Sequence, residues 1–139
     1  MKVVDTIEAE QTSTQRVQIP SGLLGLENIK EYELIALPTE DPFLWLQSAG
    51  VPDVAFLLVS PFLVLSDYQP DISEDDIQAL GLQDSADALL YNIVTVRGDA
   101  PATVNLKGPI VMNRVTKIAK QVVLSNAADY SVRHPIIAS

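Results

Sequence analysis

Leu90-Tyr-Asn-Ile-Val-Thr-Val-Arg97, then Gly98-Asp-Ala-Pro101, then Ala102-Thr-Val-Asn-Leu-Lys-Gly-Pro-Ile-Val-Met-Asn113, is the stretch whose reading decides the fold. Tyr91, Ile93, Thr95 and Arg97 alternate with Asn92, Val94 and Val96, so one face is rich in β-formers and the other nearly all apolar. That pattern predicts a strand buried on at least one side. Gly98 to Pro101 supplies a turn of about four residues, a length suited to a hairpin, so the chain is expected to return antiparallel. On these grounds the sequence predicts a compact β-rich domain and leaves function open.

Upstream, Val3 to Ile7 and Gln15 to Ile19 read as short strands joined by a polar connection, and they are expected to pair. Ile19-Pro-Ser-Gly-Leu-Leu-Gly-Leu-Glu27 is irregular, with glycines that suggest positive φ or close backbone approach and leucines expected to tuck inward. No Lys-Ser/Thr follows it, so it is not a phosphate loop. Tyr32 to Leu37, Phe43 to Ser48 and Val54 to Ser60 are three more strand-like runs, separated by connections that carry proline and acid. Trp45, the one tryptophan, is expected to anchor the core.

The helical signal is confined to Ile72 through Leu90. Ser73 can cap, Glu74, Asp75 and Asp76 load the first turn against the helix dipole, Ile77 and Leu80 point inward, and Gly81 closes the helix. Asp84 can cap a second turn that feeds into the strand at Leu90. Downstream, Val115 to Leu124 reads as a final strand, with Lys117 and Lys120 keeping an outer face soluble. Pro135 forces His134 to be extended.

At 139 residues the chain, 1–139, is expected to form a single domain with a core of its own. It has no cysteine, which removes disulfides and thiolate chemistry and fits a cytoplasmic home. The opening Met-Lys-Val-Val-Asp-Thr-Ile-Glu meets acid too soon to be an export signal. The longest apolar segment, Val54 to Leu65, is broken by Ser60 and Pro61 and falls short of the roughly 20 residues of a spanning helix, so no membrane role is expected.

The net charge of -9 opposes contact with phosphate backbones and favours a basic partner over nucleic acid. The charge is unevenly spread. Between Glu31 and Val96 there are twelve acids and no Lys or Arg, whereas Arg97 to Ser139 holds six bases and two acids. A solvated, solubilising face is a commoner reason for such a run than a binding surface.

Catalytic and metal chemistry finds little to work with. One His and no Cys cannot assemble a zinc site, and Asp71 to Asp76 lacks the glycine and spacing of a calcium loop. There is no Gly-x-Ser-x-Gly elbow, and His134 beside Arg133 reads as a surface or packing residue. The clustered carboxylates fall on a capped helix, with no sign of a second group facing them across a cleft. No enzyme activity, cofactor or metal is expected.

The chain also carries an ordered series of phrases. They are Ile19-Pro-x-Gly-Leu-x-Gly-Leu-Glu27, Pro42-Phe-x-Trp-Leu-Gln-Ser48, Pro52-Asp-x-Ala-Phe56, Pro61-Phe62, Asp67-Tyr-x-Pro70 and Asn92-Ile-Val-Thr-Val96. Ala102-Thr-x-Asn-Leu106, Pro109-Ile-Val111, Lys120-Gln-Val-Val-Leu124 and Tyr130-Ser-Val-Arg-His-Pro135 follow. In these it resembles the flagellar assembly factor FliW family from about Ile19 to His134. It departs in having Ile19 where the family commonly has Phe and Leu24 where Pro is usual.

The resemblance implies a mainly β fold, a small antiparallel β-barrel or roll, with one or two short helices between residues 72 and 90. It implies a non-enzymatic cytosolic protein, expected as a monomer, that binds flagellin and the RNA-binding translational repressor CsrA. Release from exported flagellin would let it sequester CsrA and relieve repression. On this reading the acid-rich Asp67, Asp71, Glu74, Asp75 and Asp76 are expected to face CsrA, where they would repel approaching phosphates. Phe62 and Tyr68 are candidates for the rim of an apolar groove that shields flagellin, although ordinary core packing is the commoner role of such aromatics. The alternative from another class is a small-molecule-binding β-barrel.

Overall fold

The computed structural model describes residues 13–136. The expected strand at Val3 to Ile7 and its pairing with Gln15 to Ile19 lie outside them. Strands β1 (Ser13–Gln18), β2 (Glu31–Ala36), β3 (Leu44–Ser48), β4 (Ala55–Val59) and β5 (Ala88–Thr95) form an antiparallel meander, each hydrogen-bonded to the next in chain order. Their inward residues recur with period two, as the pleat requires: Val17, then Tyr32 and Leu34, then Leu46, then Leu58. These enter one hydrophobic core.

β5 is the hinge of the sheet. Its second half pairs β4 through Leu58↔Ile93 and β6 (Thr103–Val104) through Val94↔Val104, whereas its first half pairs β7 (Ile110–Asn113) from Ala88↔Asn113 to Tyr91↔Ile110. The strand returning from the Gly98 turn therefore pairs twice, as β6 and then as β7. Between them Asn105 makes the chain bulge: its Oδ1 accepts from the amides of Lys107 and Gly108, at 3.0 and 3.1 Å. Asn92, fully buried on β5, donates through Nδ2 to the Asn105 carbonyl at 2.6 Å and fixes that bulge.

Burial goes further than the sequence suggested at the return strand. All four residues of β7 are buried, with Ile110 and Met112 in the first core and Val111 in a second one beside Val94, Val104 and Leu106. β8 (Ala119–Gln121) pairs β7, and β9 (His134–Pro135) pairs β6 as an extended edge. The strand expected over Val115 to Leu124 is thus only three residues long. Asn113 Oδ1 accepts from the amides of Val115 and Thr116, and Lys117 takes a positive φ of 62°, so these residues form a turn instead.

The sheet curls until the end of β1 meets Ile118, just before β8, at one isolated parallel bridge, Gln18↔Ile118, where the Gln18 amide donates to the Lys117 carbonyl at 3.1 Å. The result is a roll whose ladder is not closed. The Ile19–Glu27 loop covers the seam, with Ile19 and Leu23 buried in the first core and the Leu24 amide donating to Gln121 Oε1 at 3.0 Å. Gly22 must be glycine there: φ is +68°, and a Cβ would lie 2.5 Å from Glu27 Cα. Leu24, expected inward, is 66% exposed because its amide, not its side chain, is what the seam uses.

Trp45 also departs from expectation. It is half-buried and belongs to neither core, and its indole N–H donates to Glu40 Oε1 at 2.8 Å. Tyr32 is the aromatic that fills the first core.

Two short helices cover the second core. α1 (Pro61–Val64) starts on a buried proline, and α2 (Glu74–Leu80) is capped at Ser73, whose Oγ accepts from the Asp76 amide at 3.2 Å. Gly81 ends α2 at φ +65°, and the Leu82 amide returns to the Ile77 carbonyl at 3.0 Å. Leu80 is buried and Ile77 half-buried. A single 3-10 turn at Ser85–Asp87, capped by Asp84, then leads into β5.

Candidate functional site

α1, α2 and the start of β5 enclose a groove of about 550 Å³. Ile72, Ile77, Leu82 and Leu90 give it an apolar lining, Phe62 stands on its lip, and Asp71 and Asp84 contribute carboxylates. Phe62 is 46% exposed and its neighbour Leu63 is 67% exposed. Large apolar side chains this accessible beside an apolar concavity are the usual mark of a docking surface.

Tyr68 is not on the rim. It is buried in the second core, donates its O–H to the Leu106 carbonyl at 2.7 Å, and holds Phe62 edge-on at a ring separation of 5.8 Å. Tyr130 packs against its other side at 4.7 Å. Burial pushes the Tyr68 phenol up to about 12. Its part in the groove is to support Phe62 from beneath.

The loop carrying Asp67 and Asp71 is stitched to the C-terminal segment. Tyr130 Oη accepts from the Gln69 amide at 2.9 Å, Asn126 Oδ1 accepts from the Asp71 amide at 3.0 Å, and Asn126 Nδ2 donates to the Gln69 carbonyl at 2.8 Å. The Ser125 amide adds a bond to the Asp71 carbonyl at 2.8 Å. The Asp71 backbone is therefore fixed while its side chain stays exposed.

Of the five acids expected to face a partner, Asp67, Asp71, Glu74 and Asp75 are exposed. Asp76 is not: it is buried, 2.5 Å from Lys120 Nζ on β8, and accepts from Ser73 Oγ at 3.0 Å. The reason is geometric. One position along a helix from Asp75 turns the side chain through about 100°, from solvent to the sheet. Lys120, expected to solubilise an outer face, is consumed by the same pair. Asn113 Nδ2 also reaches α2, donating to the Leu80 carbonyl at 2.8 Å.

Phe62, a candidate for a groove rim, and Asp71, expected to face CsrA, line one and the same groove. Ile72, Leu82 and Asp84 join them there, as does the Asn126–Tyr130 clamp behind. Asp84 was legible only as a cap, and Tyr130 only as part of a sequence phrase. Among the described residues no three His, Asp or Glu side chains converge to hold a metal, and no helix is long and apolar enough to cross a membrane.

The sequence model of the FliW family, described as FliW protein, matches residues 2–136. The chain is 38% identical over 140 residues to the flagellar assembly factor FliW of Leptospira biflexa, across 99% of this chain and 90% of that protein. It is 33% identical to the protein of the same name from Clostridioides difficile, across 88% of this chain and 94% of that one. A crystal structure of the flagellar assembly factor FliW matches with a TM-score of 0.78 at 33% identity, over 88% of this chain and 86% of that chain.

Proposed function

Because the chain belongs to the FliW family of flagellar assembly factors, we propose that it acts as a single-domain, non-catalytic, cytoplasmic partner-switching protein that binds flagellin and the translational repressor CsrA. The observation that carries this reading is the apolar groove with Phe62 on its lip and exposed carboxylates around it, a surface built to hold protein. While flagellin accumulates it occupies the factor; export of flagellin frees the factor to hold CsrA, and flagellin translation resumes.

Electrostatics favours antagonism of an RNA-binding protein. An acidic body of net charge -9 attached to a basic protein repels approaching phosphates within a screening length of about 8 Å at physiological salt. The same charge disfavours direct contact with nucleic acid. A small-molecule barrel is less well supported, because the interior of the roll is filled by Tyr32, Ile19, Leu23, Leu46, Leu58 and Met112.

Titration calorimetry against purified flagellin and purified CsrA tests the proposal, followed by addition of flagellin to a preformed CsrA complex. Heat is expected with each protein alone, with displacement in the competition. Absence of heat with both would end it.

A further inference from the structure

We propose that the groove between α1, α2 and β5 binds a basic amphipathic segment of a partner protein, one occupant that fills the apolar floor and pairs with the carboxylates at the rim. The inference rests on the reading of the chain as a protein-binding factor and gives the chemistry of what that site accepts.

The charge around the groove is predominantly negative. From Glu31 to Val96 the sequence contains no Lys or Arg, and the ion pairs among the described residues are Arg16–Glu31 and Lys120–Asp76. Arg114, whose Nε donates to the Ala86 carbonyl at 3.1 Å, keeps its charge and offsets part of this negative potential. Asp71 contributes no side-chain hydrogen bond, and Asp84 uses Oδ1 on the Ala86 amide and the Ser85 hydroxyl.

A neutral apolar occupant would cover Ile72, Ile77 and Leu82 and strip water from carboxylates left without a partner, which is costly. An acidic one would add repulsion. A second copy of this chain would bring the same negative face. A segment with an apolar stripe flanked by Lys or Arg satisfies both the floor and the rim.

The walls are also set in advance. Asn126 clamps the Gln69–Asp71 backbone, Lys120 and Asn113 tether α2, and Tyr68 supports Phe62. Little ordering of the groove remains to be done on binding, which favours affinity.

Fluorescence anisotropy of the full chain with three labelled helical peptides tests this: Leu/Lys, Leu/Glu, and a Ser/Lys peptide of the same charge as the first. The Leu/Lys peptide is expected to bind at least about tenfold more tightly than either other, a margin one desolvated contact supplies. Phe62→Glu should cost a similar factor. Asp71→Asn should weaken binding about threefold and flatten its salt dependence. Val115→Glu, at a 76% exposed position in the β7–β8 turn, should change nothing.

Asp71→Lys, which keeps the clamped backbone, should shift preference towards Leu/Glu and guards against misfolding of the Phe62 variant. Equal binding of all three peptides, or equal effects of Phe62→Glu and Val115→Glu, would overturn the assignment. A chain that binds Leu/Lys as expected but neither flagellin nor CsrA would refute the functional reading alone. One that binds either protein while Phe62→Glu and Asp71→Lys leave both interactions intact would refute the groove alone.

Discussion

Replacing Lys120 with Met removes the cation from the Asp76 pair while keeping most of the side-chain volume. The Asp76 side chain is 12% exposed and that of Lys120 33%, at a separation of 2.5 Å. Exposed pairs contribute about 0.2–1 kcal/mol, whereas breaking a fully buried pair costs about 3–5 kcal/mol. This pair lies between those limits, and Ser73 Oγ remains to satisfy one carboxylate oxygen at 3.0 Å. Discounting for the wet part of Lys120, the expected cost is about 1–2 kcal/mol.

Asp76→Asn should cost about 1 kcal/mol, and the double variant less than the sum, with a coupling of about 1 kcal/mol. Urea unfolding followed by circular dichroism reads these as midpoint shifts of about 0.5–1 M. Because the pair is shielded, the coupling should persist at high salt. A coupling under about 0.3 kcal/mol would refute the claim that this pair fastens α2, one wall of the groove, to β8.

Further outcomes follow from single sites. Gly22→Ala, with its Cβ driven against the Glu27 backbone, should destabilise by more than about 2 kcal/mol, whereas Gly25→Ala, at φ +88° in open space, should cost about 1 kcal/mol; thermal melts of the two separate collision from strain. The Tyr68 phenol is raised from 10 to about 12, so the stability it contributes is complete below pH 10 and is lost as pH climbs through 12, by about 2–3 kcal/mol. Alkaline denaturation of Tyr68→Phe should lack that loss, and an unchanged profile would locate the titration elsewhere. Phe62→Ser should alter stability by only about 1 kcal/mol, since the residue is 46% exposed and its main ring contact is the edge of Tyr68, while weakening capture of the Leu/Lys peptide.

Strands with regular alternation could be read from the chain. β2, β3, β4 and β5 fall within a few residues of the expected runs, and α2 begins and ends where Ser73 and Gly81 require. What escaped was decided by neighbours distant in sequence. Asn113 converts the start of the expected last strand into a turn, and the seam draws in the Leu24 amide while leaving its side chain outside. Trp45 has a polar partner in Glu40 and so has no need of the core. At the site, apolar and acidic residues were each visible, but nothing local could say that Phe62 and Asp71 share a groove or that Asp76 faces inward, because both depend on how α1 and α2 lie across β5 and β8.

Hydrogen–deuterium exchange of the full chain, alone and with saturating CsrA, tests most directly whether this protein works by holding partners in the acid-rimmed groove. Slowed exchange concentrated in residues 62–90 is the result the account predicts. Protection elsewhere on the roll, with residues 62–90 unchanged, would contradict it.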